Sequence, residues 1–127
     1  MKRDQRQQTG LVGEQLAAEH LEARGYQIIA RRYRVRAGEI DLVAFRPGLL
    51  VFIEVKTRRQ TRFGIPAESV HSLKRDRITR AAECFLNGPE ARSLQDVRCR
   101  FDVIAIIMDD DSPPRLEHLE DAFRPGL

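Results

Sequence analysis

Residues 38–57, Gly38-Glu39-Ile40-Asp41-Leu42-Val43-Ala44-Phe45-Arg46-Pro47-Gly48-Leu49-Leu50-Val51-Phe52-Ile53-Glu54-Val55-Lys56-Thr57, decide the fold. Pro47-Gly48 is turn punctuation, typically of type II. The apolar and β-branched residues on either side read as strands over Glu39–Phe45 and Leu50–Thr57. With Pro47 and Gly48 at the centre of the turn, Arg46 faces Leu49, and residue numbers paired across the hairpin sum to 95. Asp41 then stands opposite Glu54, and Glu39 opposite Lys56. Side chains alternate along a strand, so Glu39 shares a face with Asp41 and Glu54 with Lys56. Directly opposed residues of an antiparallel pair point to the same side, which brings all four groups to one patch. A slip of one residue would separate them.

Two opposed carboxylates repel, so Asp41 facing Glu54 calls for a cation. Hard carboxylate oxygens, completed by water and a backbone carbonyl, suit Mg2+ or Mn2+. A metal held there could bind a phosphate, polarise it and lower the pKa of an attacking water. Lys56 could orient that water, help to deprotonate it or stabilise the pentavalent charge. The plainer reading is a solvated strand face, because Glu-X-Lys is a common triplet.

On the N-terminal side of the hairpin, Leu11 to Arg24 has helical periodicity, with Gly25 in the terminating position. Residues 1–9 are polar and read as a flexible segment, leaving 10–127 as a single domain. Glu14 falls beside Ala17, Ala18 and Leu21, where an unpaired carboxylate is costly. It is either a rim glutamate paired with an arginine or a functional group. Tyr26 to Val35 reads as the first strand.

On the C-terminal side, Ala67 to Leu86 reads as a long helix ended by Asn87-Gly88-Pro89. Its apolar arc holds Val70, Leu73, Ala81 and Phe85, and Lys74 and Arg77 fall inside it. Their stems pack while their charges reach water, or they serve the site. Arg100 to Met108 is a strand apolar enough to be buried on both faces. Asp109-Asp110-Asp111 reads as a solvated loop, and a short last strand follows near Arg115–Leu119. The order αβββαβ makes a mixed α/β domain with a central sheet flanked by helices.

Composition narrows the function classes. No apolar run approaches the roughly 20 residues that cross a bilayer, and no apolar segment of the signal-peptide kind follows the basic N-terminus. A cytoplasmic protein without a membrane partner is the expectation. Cys84 and Cys99 are the only cysteines, too few for a disulfide framework or zinc site, and read as reduced packing residues. Residues 1–62 hold 13 Lys/Arg against 7 Asp/Glu, whereas 63–127 hold 9 against 12. The basic excess lies in Arg31, Arg32, Arg34 and Arg36, then Lys56, Arg58, Arg59 and Arg62, on both sides of the acidic cluster. This distribution favours a nucleic-acid partner over a merely solvated surface.

Asp41, twelve residues, then Glu54-Val55-Lys56 resembles the bipartite signature of the PD-(D/E)XK, or restriction-endonuclease-like, nucleases. More specific are Gly13-Glu14, Gly38-Glu39-Ile40-Asp41-Leu42, Val51-Phe52-Ile53-Glu54-Val55-Lys56-Thr57-Arg58, Arg100-Phe101-Asp102-Val103 and His118-Leu119-Glu120-Asp121-Ala122-Phe123. Together these resemble the YraN family of bacterial proteins, from about residue 10 to residue 124. The resemblance implies a restriction-endonuclease-like core similar to that of Holliday-junction resolvases. By it, Asp41 and Glu54 are metal ligands, Lys56 is the catalytic lysine and Glu14 a catalytic carboxylate supporting the metal. Glu14 and Glu39 stand as further ligands, Glu39 being carried by the Gly-Glu-Ile-Asp element. Lys74 matches a recurrent position where it could touch phosphate, and joins Arg34, Arg36 and Arg58 as an expected nucleic-acid contact. Gly-Glu-Ile before Asp41 departs from the proline of the superfamily's name.

The implied activity is Mg2+- or Mn2+-dependent hydrolysis of phosphodiester bonds in branched, single-stranded or otherwise structured DNA, in a homodimer or a monomer. The alternative is a nucleic-acid-binding module that keeps the fold without catalysis. A phosphate-handling enzyme of another kind finds no Gly-rich phosphate loop here to support it.

Overall fold

The structure, a computed structural model, describes residues 2–59, 72–94 and 96–125. Helix α1 (Lys2–Ala23) precedes strands β1 (Gln27–Val35), β2 (Gly38–Arg46) and β3 (Leu49–Arg58). Helix α2 (Ser72–Leu86), a short 3-10 turn (Pro89–Ala91), β4 (Arg98–Asp109) and β5 (Ser112–Phe123) complete the order. The expected mixed α/β architecture and its restriction-endonuclease-like core are present. The helix expected from Leu11 runs back to Lys2 through a stretch rich in Arg and Gln, residues that lose little freedom in a helix. The last strand is longer than the expected 115–119. The portion of the second helix expected over 67–71, with Val70, and the basic Arg62 lie outside the described residues.

The sheet order is β1-β2-β3-β4-β5. The first three strands form an antiparallel meander, β3 and β4 are parallel, and β4 and β5 are antiparallel. A parallel β3–β4 pair needs a crossover, and α2 lies on that connection. The hairpin register follows the turn as expected: Arg46 pairs with Leu49, Phe45 with Leu50, and so on to Leu42 with Ile53. Gly48 takes a φ of 82°, as the second central residue of a type II turn requires.

Each face of the sheet carries its own core. Ala17, Ala18 and Leu21 of α1 pack on Leu42, Val51, Ile53, Ile104 and Ile106. Ile78, Ala81, Ala82 and Phe85 of α2 pack on Ile40, Val43, Leu50, Phe52 and Phe101. A sheet with both faces covered needs apolar residues at successive positions, which explains the unbroken runs in β3 and β4. Among the described residues no helix is long and apolar enough to cross a membrane. Cys84 and Cys99 are free thiols as expected, but both are exposed and neither is a packing residue. Cys84 lies on α2 next to the core residue Phe85, and Cys99 lies near the start of β4, where the strand's buried run has not yet begun.

Two glycines set how closely the helices approach the sheet. A Cβ on Gly13 would lie 2.0 Å from Oγ1 of Thr57, and one on Gly38 would lie 2.1 Å from the carbonyl oxygen of Arg77. Gly13 thus seats α1 against the end of β3, and Gly38 seats the start of β2 against α2. Both contacts fall at the end of the sheet that carries the acidic cluster.

Candidate active site at the parting of two strands

The β2–β3 ladder closes at Leu42–Ile53. One step further, the same register sets Asp41 across from Glu54, but no backbone pair forms there. Instead the backbone N–H of Val55 donates to Oδ2 of Asp41 at 2.8 Å. A side-chain carboxylate takes the place of the strand carbonyl. The cause lies one strand further out, in the β1–β2 pair. Arg31 pairs with Leu42 and Tyr33 with Ile40, so Arg32 faces Asp41. Arg32 has a φ of 51°, in the left-handed region that a bulky side chain rarely occupies. Across this irregularity the alternation slips: Ile40 packs on the α2 side of the sheet and Leu42 on the α1 side. A regular strand would send both to one face. The slip opens the gap between β2 and β3 into which the Asp41 carboxylate turns.

Glu54 points to the α2 side and is buried. Its Oε1 lies 2.5 Å from Nζ of Lys74 and 3.6 Å from Nζ of Lys56. The Asp41 carboxyl is pushed up to about 7, first by burial and then by the charge of Glu54 beside it, with Glu14 adding to the effect. The Val55 N–H pulls it the other way. Lys56 is held below its ordinary value by burial and by the neighbouring Lys74 ammonium. Burial would also lower Lys74, but its hydrogen bond to Glu54 outweighs this and raises it.

Of the four groups expected on one patch, Asp41, Glu54 and Lys56 come together and Glu39 does not. Glu39 does not face Lys56, because the ladder ends before that pair. It is exposed and joined to Nε of Arg34 at 3.2 Å, lying at the rim of a cavity of about 270 Å³ with Glu54, Leu73, Lys74, Arg77 and Ile78. Glu14 reaches the site from α1, with Oε1 2.9 Å from Nε of Arg32. It is therefore an arginine-paired glutamate whose charge is also felt at Asp41. Of the expected nucleic-acid contacts, Arg34 is paired with Glu39 and Lys74 with Glu54. Arg36 and Arg58 are exposed and have no side-chain partner among the described residues.

The chemistry of Asp41 and Glu54 fits a hard divalent cation. They are adjoining carboxylates, one half-buried and one buried. Burial first and the charge of Glu54 second push the Asp41 carboxyl up, and the cation that offsets them here is an ammonium. The fit is that of a pair. Among the described residues no three Asp, Glu, His or Cys side chains converge closely enough to hold a metal ion.

A second polar cluster lies on β4. Asp102 is fully buried on the α1 side of β4. It accepts from Nε and Nη2 of Arg100 at 2.8 Å each, from Nε2 of His118 at 2.7 Å and from the backbone N–H of Asp121 at 2.9 Å. Arg100 also donates to the Tyr26 hydroxyl at 2.9 Å, and Nδ1 of His118 lies 3.1 Å from Nε2 of His20 on α1. Burial alone would raise the Asp102 carboxyl, but its hydrogen bonds from His118, Arg100 and Asp121 outweigh burial and hold it below the ordinary carboxylate value. A single Asp inside the apolar run Phe101–Ile107 was the available signal, since a buried carboxylate must be paired.

Comparison with known proteins covers most of the chain. Residues 13–106 match the model of a family described as Uncharacterised protein family UPF0102. A UPF0102 protein of Symbiobacterium thermophilum is 47% identical over 115 residues, covering 90% of this chain and 94% of that protein. One from Geobacter sulfurreducens is 45% identical over 114 residues, with 90% and 87% covered. One from Chlorobaculum tepidum is 46% identical over 124 residues, with 92% of each covered.

Proposed function

The chain belongs to the UPF0102, or YraN, family, and on that premise we propose that it is a Mg2+- or Mn2+-dependent endonuclease acting on branched or single-stranded DNA. The observation that carries this reading is the juxtaposition of Asp41 and Glu54 at the parting of β2 and β3, with Lys56 beside Glu54. Asp41 and Glu54 would hold the ion. When bound, a divalent cation supplies the charge that neutralises a phosphate and acidifies a water.

The remaining chemistry belongs to the chain. Nζ of Lys56 sits next to Glu54, and burial and Lys74 both favour loss of its proton. That makes Lys56 the group that positions the attacking water and manages its proton. Glu14 supports Asp41 from the α1 side while Arg32 keeps it in place. Arg36 and Arg58, exposed and without a side-chain partner among the described residues, are available to the phosphate backbone. Nucleic acid in the cell places such an enzyme in the cytoplasm, and a homodimer would set two sites on one junction.

Incubating the protein with junction, flap, single-stranded and duplex DNA in Mg2+ or Mn2+ tests the proposal. Cleavage is expected, preferentially of the branched or single-stranded substrates, and is lost in Asp41→Ala and in Lys56→Ala. Activity that survives both substitutions would remove the site assignment. A second reading, a DNA-binding module without turnover, draws on the ammonium of Lys74 lying against Glu54. It requires DNA binding that persists in Glu54→Ala and no cleavage in the wild type.

A further inference from the structure

Glu54 is a carboxylate whose cation is already built in. Its side chain is 8% exposed, and Lys74 and Lys56 approach the same oxygen, Lys74 at 2.5 Å and Lys56 at 3.6 Å. The Asp41 carboxylate lies beside it, accepting the backbone N–H of Val55, the next residue along β3, at 2.8 Å. Two adjoining carboxylates, one of them buried, need positive charge whether or not a metal is bound.

The two lysines differ in how they can move. Lys56 stands on β3 two residues from Glu54, within a strand that is hydrogen-bonded to β4 through Lys56 and beyond. Lys74 comes from a separate element, the first turn of α2, on a long flexible stem. Its side chain is 33% exposed and lines the cavity that also holds Leu73, Arg77 and Ile78. Lys74 can therefore leave Glu54 without any change in the backbone.

We propose that Lys74 is a resident counter-ion of the Asp41–Glu54 pair, that a divalent cation must displace it from Oε1 of Glu54, and that the freed ammonium then meets the substrate phosphate. The inference rests on the reading of Asp41 and Glu54 as metal-binding carboxylates. It makes Lys74 the cation that offsets the carboxylate pair before a metal binds and a phosphate contact that is released toward DNA only when the metal arrives. An ammonium and a divalent ion seeking one oxygen exclude each other, and that exclusion has a reciprocal signature: removing either strengthens the other's hold.

Calorimetric titration with Mn2+ in the absence of DNA compares the wild type, Lys74→Met and Lys74→Arg. Lys74→Met is expected to bind Mn2+ roughly tenfold more tightly than the wild type, within the usual range of coupling between two sites. Lys74→Arg keeps the charge and is expected to stay within about twofold of the wild type. The second measurement needs no variant: labelling of the wild-type protein with an amine-reactive reagent, read by mass spectrometry at Lys74. Saturating Mn2+ is expected to increase labelling there severalfold, because the ammonium no longer sits on Glu54. If the wild type binds Mn2+ but Lys74→Met binds it no more tightly, or labelling of Lys74 is unmoved by Mn2+, Lys74 is not the displaced cation. If none of the three proteins binds Mn2+, the metal-binding reading of Asp41 and Glu54 falls, and this inference with it.

Discussion

The carboxylate of Asp41 accepts the backbone N–H of Val55 at 2.8 Å, doing the work of a strand carbonyl where β2 and β3 separate. This one bond ties the candidate site to the integrity of the sheet. An acid that must accept a hydrogen bond, beside a second acid and half-buried, is held in conflict between its two protonation states.

That conflict has a measurable sign. Asp41 titrates near 7 when folded and near the ordinary carboxylate value, about 4, when unfolded. Between these values the folded protein keeps a proton that the unfolded chain gives up. The contribution of Asp41 to stability is therefore greatest below about pH 4, declines as pH rises to about 7 and is flat above. The decline is on the order of a few kcal/mol. His20, whose pKa is lowered by burial and by His118, slopes the other way below its ordinary value. The informative quantity is thus the difference between the wild type and Asp41→Asn in urea denaturation at pH 5, 6, 7 and 8 without divalent metal. Wild-type stability should fall relative to the variant across this series, and parallel curves would contradict the assignment.

The two close approaches predict unequal costs. Gly13→Ala presses on a side chain, Thr57, which can be shortened; it is expected to lose about 1–3 kcal/mol and to regain much of it in Gly13→Ala/Thr57→Ala, where the nearest remaining contact is the 3.2 Å one to Cβ. Gly38→Ala presses on the carbonyl of Arg77 in α2, which no side-chain change relieves. It should be the more destabilising of the two in thermal denaturation. Equal melting temperatures for the two single variants would show that the helices shift freely on the sheet.

Asp102 is predicted to act on stability and not on the carboxylate pair. Asp102→Ala leaves Arg100, His118 and the Asp121 amide without their common acceptor, at a cost of about 3–5 kcal/mol. Because the folded carboxyl is held below its ordinary value, its contribution is fully present above about pH 4 and is lost as pH falls through the folded value. Chemical denaturation at pH 7 should show the full loss, and at pH 3 a smaller one. A variant as stable as the wild type at pH 7 would mean that the network contributes nothing net.

Arg36 and Arg58 are predicted to contribute phosphate contacts. Each of Arg36→Ala and Arg58→Ala should weaken binding of a single-stranded oligonucleotide and flatten the plot of log affinity against log salt by about one unit of slope. Arg115, exposed on β5 at the far edge of the sheet from β1, serves as the control. If Arg115→Ala has the same effect, the binding surface is not specific to the part of the molecule that carries Arg36 and Arg58.

The hairpin was legible in the sequence because its determinants are local. Pro47-Gly48 sets the turn, the turn sets the register, and alternation then brings Asp41, Glu54 and Lys56 to one end of two strands. The apolar runs in β3 and β4 likewise announced a sheet covered on both faces, and the family's motifs agreed. What the sequence did not carry was the break in that regularity. The slip at Arg32 and Asp41 depends on β1 lying beside β2 and on α1 offering Glu14 to Arg32. It turns Asp41 into the gap, and with the ladder already closed Glu39 pairs with Arg34 instead of facing Lys56. The hold of Lys74 on Glu54 depends on where α2 lands on the sheet, which no spacing along the chain expresses. The Asp102 network joins His20 to His118 across 98 residues and Tyr26 to Arg100 across 74. Turn chemistry and side-chain alternation act between near neighbours and are written in order along the chain. The pairing of buried charges is chosen among whatever groups packing brings within reach, so only the tertiary structure decides it.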